Sequence, residues 1–161
     1  VLERARAKGV PVRGYVSCVT DCPYEGPVAP DAVAEVVQAL HQMGCHQISL
    51  GDTIGHGTPD TIGRMLDAVL SVLPTDKLAG HYHDTRGTAL RNIATSLDKG
   101  LRIFDASVGG LGGCPYAPGA KGNVATEAVA AFLHAQGLAT GLDPDRLAEA
   151  ARFAQSLRSP Q

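Results

Sequence analysis

The chain has 161 residues, of which 44% are hydrophobic and 19% are charged, a composition that suits one folded domain and argues against disorder. Its 14 basic and 16 acidic side chains give a net charge of −2, and no run of like charges indicates a nucleic-acid or anionic-membrane partner. No apolar segment approaches the roughly 18 residues of a membrane span, and residues 1–6 lack the apolar core of a signal peptide. We therefore expect a cytoplasmic protein with a small-molecule partner.

The first part of the chain alternates predicted strands and helices. Residues 12–19 are β-branched and alternating, which predicts a strand. A helix follows from Pro30, with apolar residues at helical spacing and Gly44 in position to end it. Residues 46–50 form the second predicted strand, and an amphipathic helix over about 58–74 stops at a proline.

The second part of the chain repeats this pattern. We expect a third strand over 77–83, a helix that ends near residue 100, and a fourth strand over 102–108. A glycine-rich loop then precedes a helix over about 123–136, and Asp143 opens one more helix.

These strand and helix units predict an α/β fold with parallel strands and helical crossovers. A doubly wound sheet of four or five strands suits this length, whereas a complete (β/α)8 barrel needs roughly 250 residues. The pattern alone leaves both architectures open.

The sequence has four cysteines: Cys18, Cys22, Cys45 and Cys114. Two disulfides are possible in principle, but disulfide scaffolds are secreted and dense in cysteine, so free thiols are favoured. The spacing from Cys18 to Cys22 is not the C-x2-C of a zinc site, and no second such pair exists. We do not expect structural zinc.

Polar side chains gather at the predicted carboxyl ends of neighbouring strands. His81 and His83 are two residues apart in the third strand and therefore point to the same side of it. The pair could bind a metal ion, act as acid or base, or simply be polar residues at a strand end. Asp52 ends the second strand and Asp84 follows the histidines. Ligands of parallel α/β proteins bind at this edge of the sheet, so we expect the functional site here.

The most informative segment is the glycine-rich loop 109–123. Its glycines leave the backbone free to move or to approach a ligand, but their spacing is not the G-x-G-x-x-G of dinucleotide sites. Cys114 is either an inert thiol or a chemical group, and Asn123 could ligate a hard cation or cap the next helix. Asp105 and Ser107 share one face of the fourth strand, where hydrogen bonding explains them as well as function does.

Five segments carry a family resemblance: GYVSC at 14–18, CPYEG at 22–26, SLGDTIG at 49–55, GHYHDT at 80–85, and GLGGCPYAPGAKGNVATE at 110–127. From about residue 12 to its end, the chain resembles the 3-hydroxy-3-methylglutaryl-CoA (HMG-CoA) lyase family. Related acyl-condensing enzymes, such as isopropylmalate and homocitrate synthases, share the His-x-His strand but not the Gly-Gly-Cys-Pro-Tyr-Ala loop.

The resemblance implies a fold and an architecture. The family is a metal-dependent TIM (β/α)8 barrel, and residues 1–161 would form its C-terminal half: four parallel strand-helix units plus a terminal helix. An Arg, an Asp and a Glu from the family's first half have no counterpart in this sequence, so the missing N-terminal half-barrel is an implied partner. Thr20 and Asp21 replace the apolar residue and glycine expected before Cys22. The chain also lacks the C-terminal cysteine and peroxisomal tail of animal members, which implies a cytoplasmic, bacterial-type enzyme, and we expect a homo-oligomer in the full-length form.

The resemblance also implies a reaction, the retro-Claisen cleavage of the acyl-CoA substrate HMG-CoA to acetoacetate and acetyl-CoA in leucine degradation and ketone body formation. His81, His83 and Asn123 would bind Mg²⁺ or Mn²⁺. Asp52, with His81 nearby, would handle the hydroxyl proton, and Cys114 would protonate the acetyl-CoA carbanion.

Two other hypotheses remain. The chain could be a non-catalytic half-barrel fragment that requires a partner half. It could also belong to an acyl-CoA-condensing synthase, which is disfavoured because that group lacks the cysteine loop.

Overall fold

Four strands pair in parallel to form one sheet, and their order in the sheet follows the chain. The computed structural model describes residues 1–113 and 122–157. The strands are β1 (Arg13–Val16), β2 (Asp21–Cys22), β3 (Gly26–Pro27), β4 (Gln47–Asp52), β5 (Leu78–Tyr82) and β6 (Phe104–Asp105). The main sheet has the order β1-β4-β5-β6, and β2 and β3 form a separate antiparallel hairpin.

Helices connect the parallel strands. They are α1 (Leu2–Ala7), α2 (Pro30–Met43), α3 (Pro59–Leu70), α4 (Ala89–Asp98), α5 (Thr126–Ala135) and α6 (Pro144–Ser156). A doubly wound sheet reverses its strand order at a switch point, and the described strands contain no reversal. The fold is therefore α/β with consecutive strand-helix units, the arrangement found along a TIM barrel.

The helix ends follow from the local sequence. Pro30 occupies the first turn of α2, where its missing N–H costs no hydrogen bond, and Gly44 ends the helix in the left-handed conformation with φ 106°. At the start of α3, Thr58 and Thr61 each accept a backbone N–H from the other through their hydroxyl groups. The Asp143 carboxylate caps α6 by accepting backbone N–H groups.

The hydrophobic core lies between the sheet and its helices. Ile48 and Leu50 of β4 and Leu78 of β5 are fully buried on this side. The buried side chains that complete this layer come mainly from the helices: Val37, Ile62, Met65, Leu66, Val69 and Ile93. Burial of one such aliphatic side chain contributes about 1.5–3 kcal/mol. This layer therefore fixes which side chains of each strand point away from the helices.

The face of the sheet away from the helices is polar. Tyr15 and Ser49 are register partners, as are His81 and Asp105. Side chains paired directly across neighbouring strands point to the same side of a sheet. Arg13 lies two residues before Tyr15 and shares this face, where Tyr15 exposes 57% of its surface. The histidine of β5 is thus surrounded by polar and aromatic groups from the other three strands.

Backbone pairing shortens two of the predicted elements. The fourth strand, expected over 102–108, pairs with β5 only at Phe104–Asp105. The helix expected over 123–136 begins at Thr126, because residues 123 and 125 form β-bridges with the segments that follow β5 and β6. The short helix α1 and the hairpin β2–β3 have no counterpart in the sequence prediction.

Two expectations drawn from composition can be compared with the coordinates. Cys22 and Cys45 are free thiols, as expected. Among residues 1–113 and 122–157, no helix combines the length and apolarity that crossing a bilayer requires.

Candidate active site at the carboxyl ends of the strands

Two histidine rings at the end of β5 define the candidate site. His81 lies in β5 and His83 follows it, and their ring centroids are 5.6 Å apart with planes tilted by 40°. This separation is short enough for both rings to contact one ion. The His81 side chain is 30% exposed, whereas His83 is buried. The sheet therefore brings the two imidazoles together, as their spacing predicts.

Backbone pairing places Asn123 beside His83. The two residues form an antiparallel bridge, and the Asp84 N–H donates to the carbonyl of Gly122 at 2.6 Å. The Asn123 Nδ2 group donates to the carbonyl of Leu111 at 3.0 Å. Because this bond fixes the amide orientation, Oδ1 remains as the acceptor atom. Asn123 is therefore held by strand-like contacts and does not cap α5, and its side chain also interacts with His83.

Two glycines allow the segments around Leu111 and Asn123 to approach each other. Gly122 has φ 75°, and a Cβ atom on it would collide with the backbone of Gly112. Gly112 has φ 86°, and its Cβ would lie 2.8 Å from Nδ2 of Asn123. Residues with side chains rarely adopt this left-handed conformation. The position of Asn123 thus depends on glycine at both positions.

His83 carries a buried ring nitrogen that residues 1–113 and 122–157 leave unsatisfied. Its Nδ1 has no hydrogen-bond partner in the described part of the chain. Burial lowers the pKa of His83, nearby His81 lowers it further, and the side chain of Asn123 partly opposes both effects. The neutral imidazole that results is the form that ligates metal ions.

The residues at this site fit a divalent cation. His81 and His83 offer imidazole nitrogens, one of the two rings has an unsatisfied nitrogen, and Asn123 offers an amide oxygen, donors that such ions accept. Within residues 1–113 and 122–157, no three His, Cys, Asp or Glu side chains are grouped so that they could hold a metal ion. The described residues thus supply neutral ligands without a cluster of carboxylates.

Asp105 links His81 to two other strands. Its Oδ1 accepts from Arg13 Nη1 at 2.8 Å, and its Oδ2 accepts from Ser49 Oγ at 2.7 Å and lies 3.3 Å from His81 Nδ1. Burial raises the pKa of Asp105, but the hydrogen bonds from His81 and Ser49 and the charge of Arg13 outweigh it and hold the pKa at about 2. Asp105 is therefore an ionised acceptor at neutral pH.

Asp52 is buried at the end of β4, and its carboxylate is engaged with the loop that follows. Its oxygens accept the N–H groups of His56 at 3.1 Å and Gly57 at 2.9 Å and the hydroxyl of Thr20 at 3.3 Å. Burial raises the pKa of Asp52, and these three hydrogen bonds oppose the rise. The register pairs Asp52 with Tyr82, so its side chain belongs to the helix side of the sheet. The register therefore turns the Asp52 side chain to the opposite side of the sheet from His81, although its backbone carbonyl accepts the N–H of His83 at 3.4 Å.

Of the remaining predicted positions, the structure describes Asp84 but not Cys114. Cys114, the predicted proton donor, lies outside the described residues. The Asp84 carboxylate accepts the N–H of Ala89 at 3.1 Å and so caps α4. A cavity of about 300 Å³ lies beside Asn123 and is lined in part by Gly109 and Gly110. A larger cavity, of about 630 Å³, lies near the starts of α2 and α3 and is not lined by Asn123, so the smaller cavity is the one that adjoins the candidate site.

Sequence reasoning missed the contributions of Arg13 and Ser49. Both are polar residues in short strands that also contain fully buried apolar residues, and this alternation is the signal that could have placed them on the face of His81. Their contact with Asp105 depends on the pairing of β1, β4, β5 and β6, which the sequence does not specify. The sequence therefore predicts the polar positions of this network but not the contacts between them.

Known proteins are similar to this chain over most of its length. The HMGL-like family matches residues 1–154. The chain is 57% identical over 153 residues to the mitochondrial hydroxymethylglutaryl-CoA lyase of Arabidopsis thaliana, a match that covers 95% of this chain and 33% of that protein. It is 52% identical over 149 residues to the hydroxymethylglutaryl-CoA lyase of Pseudomonas mevalonii, covering 92% of this chain and 50% of that protein.

The same relationship holds for solved structures. The crystal structure of the HMG-CoA lyase from Brucella melitensis superimposes with a TM-score of 0.96 at 64% identity, covering 98% of this chain and 56% of that one. The chain thus spans between a third and just over half the length of these relatives. The match over nearly the whole chain, in sequence and in fold, establishes that the chain belongs to the HMGL-like family.

Proposed function

We propose that the protein is a hydroxymethylglutaryl-CoA lyase that cleaves HMG-CoA to acetoacetate and acetyl-CoA. The observation that carries this proposal is the convergence of His81, His83 and Asn123 at the strand ends, in a chain 57% identical to a lyase of that name. The substrate would be an acyl-CoA. We further propose a cytoplasmic location and a role in leucine degradation.

The proposed reaction is a retro-Claisen cleavage. The C3 hydroxyl loses its proton and becomes the ketone carbonyl of acetoacetate as the C2–C3 bond breaks. The electron pair of that bond moves to C2 as a thioester enolate, which takes a proton to give acetyl-CoA. The site must therefore accept one proton, donate one, and stabilise the negative charge that develops on oxygen.

The HMG-CoA lyases are metal-dependent enzymes, and we propose Mg²⁺ or Mn²⁺ for this protein. A bound divalent cation would supply Lewis acidity at the substrate oxygens. His81, His83 and Asn123 would hold it through two ring nitrogens and one amide oxygen. Such ions also favour carboxylate ligands, so we expect a further acidic ligand from outside the described residues.

The proton steps involve two other residues of the chain. Asp52 is our candidate for accepting the hydroxyl proton, and its raised pKa supports a basic role. Its three hydrogen bonds give it a second role, which is to hold the Gly51–Gly57 part of the chain beside β5. Cys114 is our candidate for the proton donor to C2.

We also propose that the chain forms the C-terminal half of the barrel and works with the complementary half, in a protein that is a homo-oligomer. The strands β1 and β6 are the two edges of the described sheet, and edge strands expose unpaired backbone groups. Closing the barrel would pair both edges and cover the polar face that bears Tyr15 and His81.

Metal-dependent turnover of the purified protein tests the proposal. His81→Ala and His83→Ala should each weaken activation by Mg²⁺ or Mn²⁺ severely, because the cation loses one of few protein ligands. His134→Ala is the matched control, since His134 lies in α5 and bonds to Thr140. A His variant with an unchanged metal titration would remove that residue from the site, and absence of HMG-CoA cleavage by the chain assembled with its complementary half-barrel would refute the proposed activity.

Cys114→Ser tests the proposed proton donor. We expect substrate binding to persist and turnover to fall by at least ~10²-fold, the range for removal of a positioned proton-transfer group. Cys45→Ser provides the control, because Cys45 is buried in the core beside Gly14. Near-normal turnover in Cys114→Ser would contradict the donor role.

A further inference from the structure

We propose that Asp105 is a positioning residue that holds His81 in the tautomer with its proton on Nδ1, so that Nε2 presents a lone pair to the metal. This inference rests on the proposed function, because it concerns the ring that would ligate the cation there. The sequence alone is compatible with either structural hydrogen bonding or a functional role for Asp105, and the contact with His81 favours the functional role.

The proton on His81 Nδ1 follows from the other partners of Asp105. Arg13 has only donor atoms, and the hydroxyl of Ser49 donates to the same oxygen that faces His81. Because each oxygen of the carboxylate already faces a donor, Arg13 at Oδ1 and Ser49 at Oδ2, the carboxylate can only accept from His81. The 3.3 Å contact between His81 Nδ1 and Asp105 Oδ2 is therefore a hydrogen bond in which the imidazole donates. In a neutral ring this leaves the lone pair on Nε2.

The ring is held on more than one side. Tyr15 meets His81 edge-on, with centroids 6.3 Å apart and planes at 82°, and Asp105 restrains the ring through Nδ1. His81 is 30% exposed, and without these contacts such a ring could rotate and exchange tautomers with water. Metal-ligating histidines generally donate their second N–H to a carboxylate or carbonyl, and loss of that partner costs about 10–100-fold in metal affinity.

A purely structural role is the competing explanation, since Asp105 also pairs with Arg13 across the sheet. A variant of Arg13 distinguishes the positioning role of Asp105 from a purely structural role. Arg13 contacts Asp105 through Oδ1, whereas His81 uses Oδ2. Arg13→Met removes the cross-sheet ion pair and leaves the His81 contact available, while Asp105→Leu approximately keeps the shape of the side chain and removes both acceptor oxygens.

The test has two readouts besides turnover. The ¹⁵N chemical shifts of His81 in the metal-free protein report its tautomer, measured at about pH 8.5, where an ordinary imidazole is neutral. Direct Mn²⁺ binding, followed by the electron paramagnetic resonance of the free ion, gives the Kd. We expect the Nδ1–H tautomer in the wild type, its loss of dominance in Asp105→Leu, and a Kd weakened by about 10–100-fold in that variant. In Arg13→Met we expect the wild-type tautomer and a Kd within about threefold of wild type, because the His81 contact remains.

Three results would overturn the inference. An Nε2–H tautomer in the wild type would do so without any variant, which covers the case in which Asp105→Leu does not fold. An unchanged tautomer or Kd in Asp105→Leu would show that the carboxylate does not act on His81. An equal loss of affinity in Arg13→Met would assign the effect to the ion pair. A protein that shows the expected tautomer and Mn²⁺ affinities but does not cleave HMG-CoA would sink the proposed function and leave this inference standing.

Discussion

Replacing Asp52 by alanine should lower the free energy of unfolding by about 2–6 kcal/mol. The Asp52 side chain is fully buried and accepts the N–H groups of His56 and Gly57 and the hydroxyl of Thr20. Each buried donor that loses its acceptor costs about 1–3 kcal/mol. In Asp52→Ala the two backbone N–H groups would lose their acceptor, whereas the Thr20 hydroxyl can rotate to another acceptor. The expected loss is therefore the sum of the costs of the two unpaired N–H groups.

Asp52→Asn separates the structural role of the carboxylate from its proposed chemical role. Asparagine keeps one oxygen for the N–H of Gly57, and the hydroxyl of Thr20 can accept from its amide, so only the N–H of His56 is left unpaired. We expect a loss of about 1–3 kcal/mol in the free energy of unfolding. If Asp52 accepts the substrate proton, turnover should also fall by at least ~10²-fold under conditions in which the variant is folded.

The pH dependence of this effect has a definite sign. Burial raises the pKa of Asp52 above its ordinary value of 3.8. A group with a raised pKa in the folded state stabilises the fold below its unfolded pKa, and this contribution is lost as the pH rises through the folded pKa. The stability difference between wild type and Asp52→Asn should therefore be larger at about pH 3 than at about pH 7.

Urea unfolding followed by circular dichroism measures these differences. Asp60→Asn is the control, because the Asp60 side chain is 77% exposed in its pair with Arg64 and its replacement should change stability by less than about 0.5 kcal/mol. Wild-type stability in Asp52→Ala would refute the reasoning that this carboxylate holds the loop after β4. A difference that grows with rising pH would refute the argument from burial.

Two further outcomes follow from close packing near the site. Gly122→Ala should weaken Mn²⁺ binding and cost more than about 1 kcal/mol of stability, because φ is 75° there and the new Cβ would collide with the neighbouring backbone. Gly113→Ala, whose Cβ would meet no atom of the described residues within 4 Å, should change neither quantity. Tyr82→Phe removes the buried hydroxyl that bonds to Ser96 at 2.8 Å, while the Ser96 hydroxyl still donates to the carbonyl of Asn92. The variant should lose about 1 kcal/mol in urea unfolding, and equal stabilities would contradict a net stabilising contribution from this hydrogen bond.

Short-range signals explain why most helices were predictable. The start of α2 is set by Pro30 and its end by Gly44, and Thr58 marks the start of α3. Each signal is a backbone requirement that one residue meets by itself: a missing N–H, a left-handed φ, or a capping hydroxyl. Such requirements are legible without the fold, so the boundaries of these helices agree with the sequence to within a few residues.

The segment before α5 shows where this reading fails. Residues 123–125 have the composition of a helix start, yet they form bridges to His83 and Ser107. The bonds that hold them come from residues tens of positions away, such as Tyr82, whose carbonyl accepts the N–H of Val124 at 3.4 Å. Long-range pairing outweighs a local helix preference of a few tenths of a kcal/mol per residue. Only the fold therefore reveals that Asn123 is strand-paired beside the histidines.

The candidate site shows the same division between what one strand specifies and what several strands specify together. Alternation within β5 is enough to place His81 and His83 on one side, and the structure has them there. Whether Asp52 joins them depends on the register of β4 against β5, which pairs it with Tyr82. A shift of one residue in that register would exchange the faces and bring the carboxylate toward the histidines while exposing the core side chains of β4. The buried Ile48 and Leu50 therefore decide, through the register they enforce, that Asp105 and not Asp52 is the carboxylate in contact with His81.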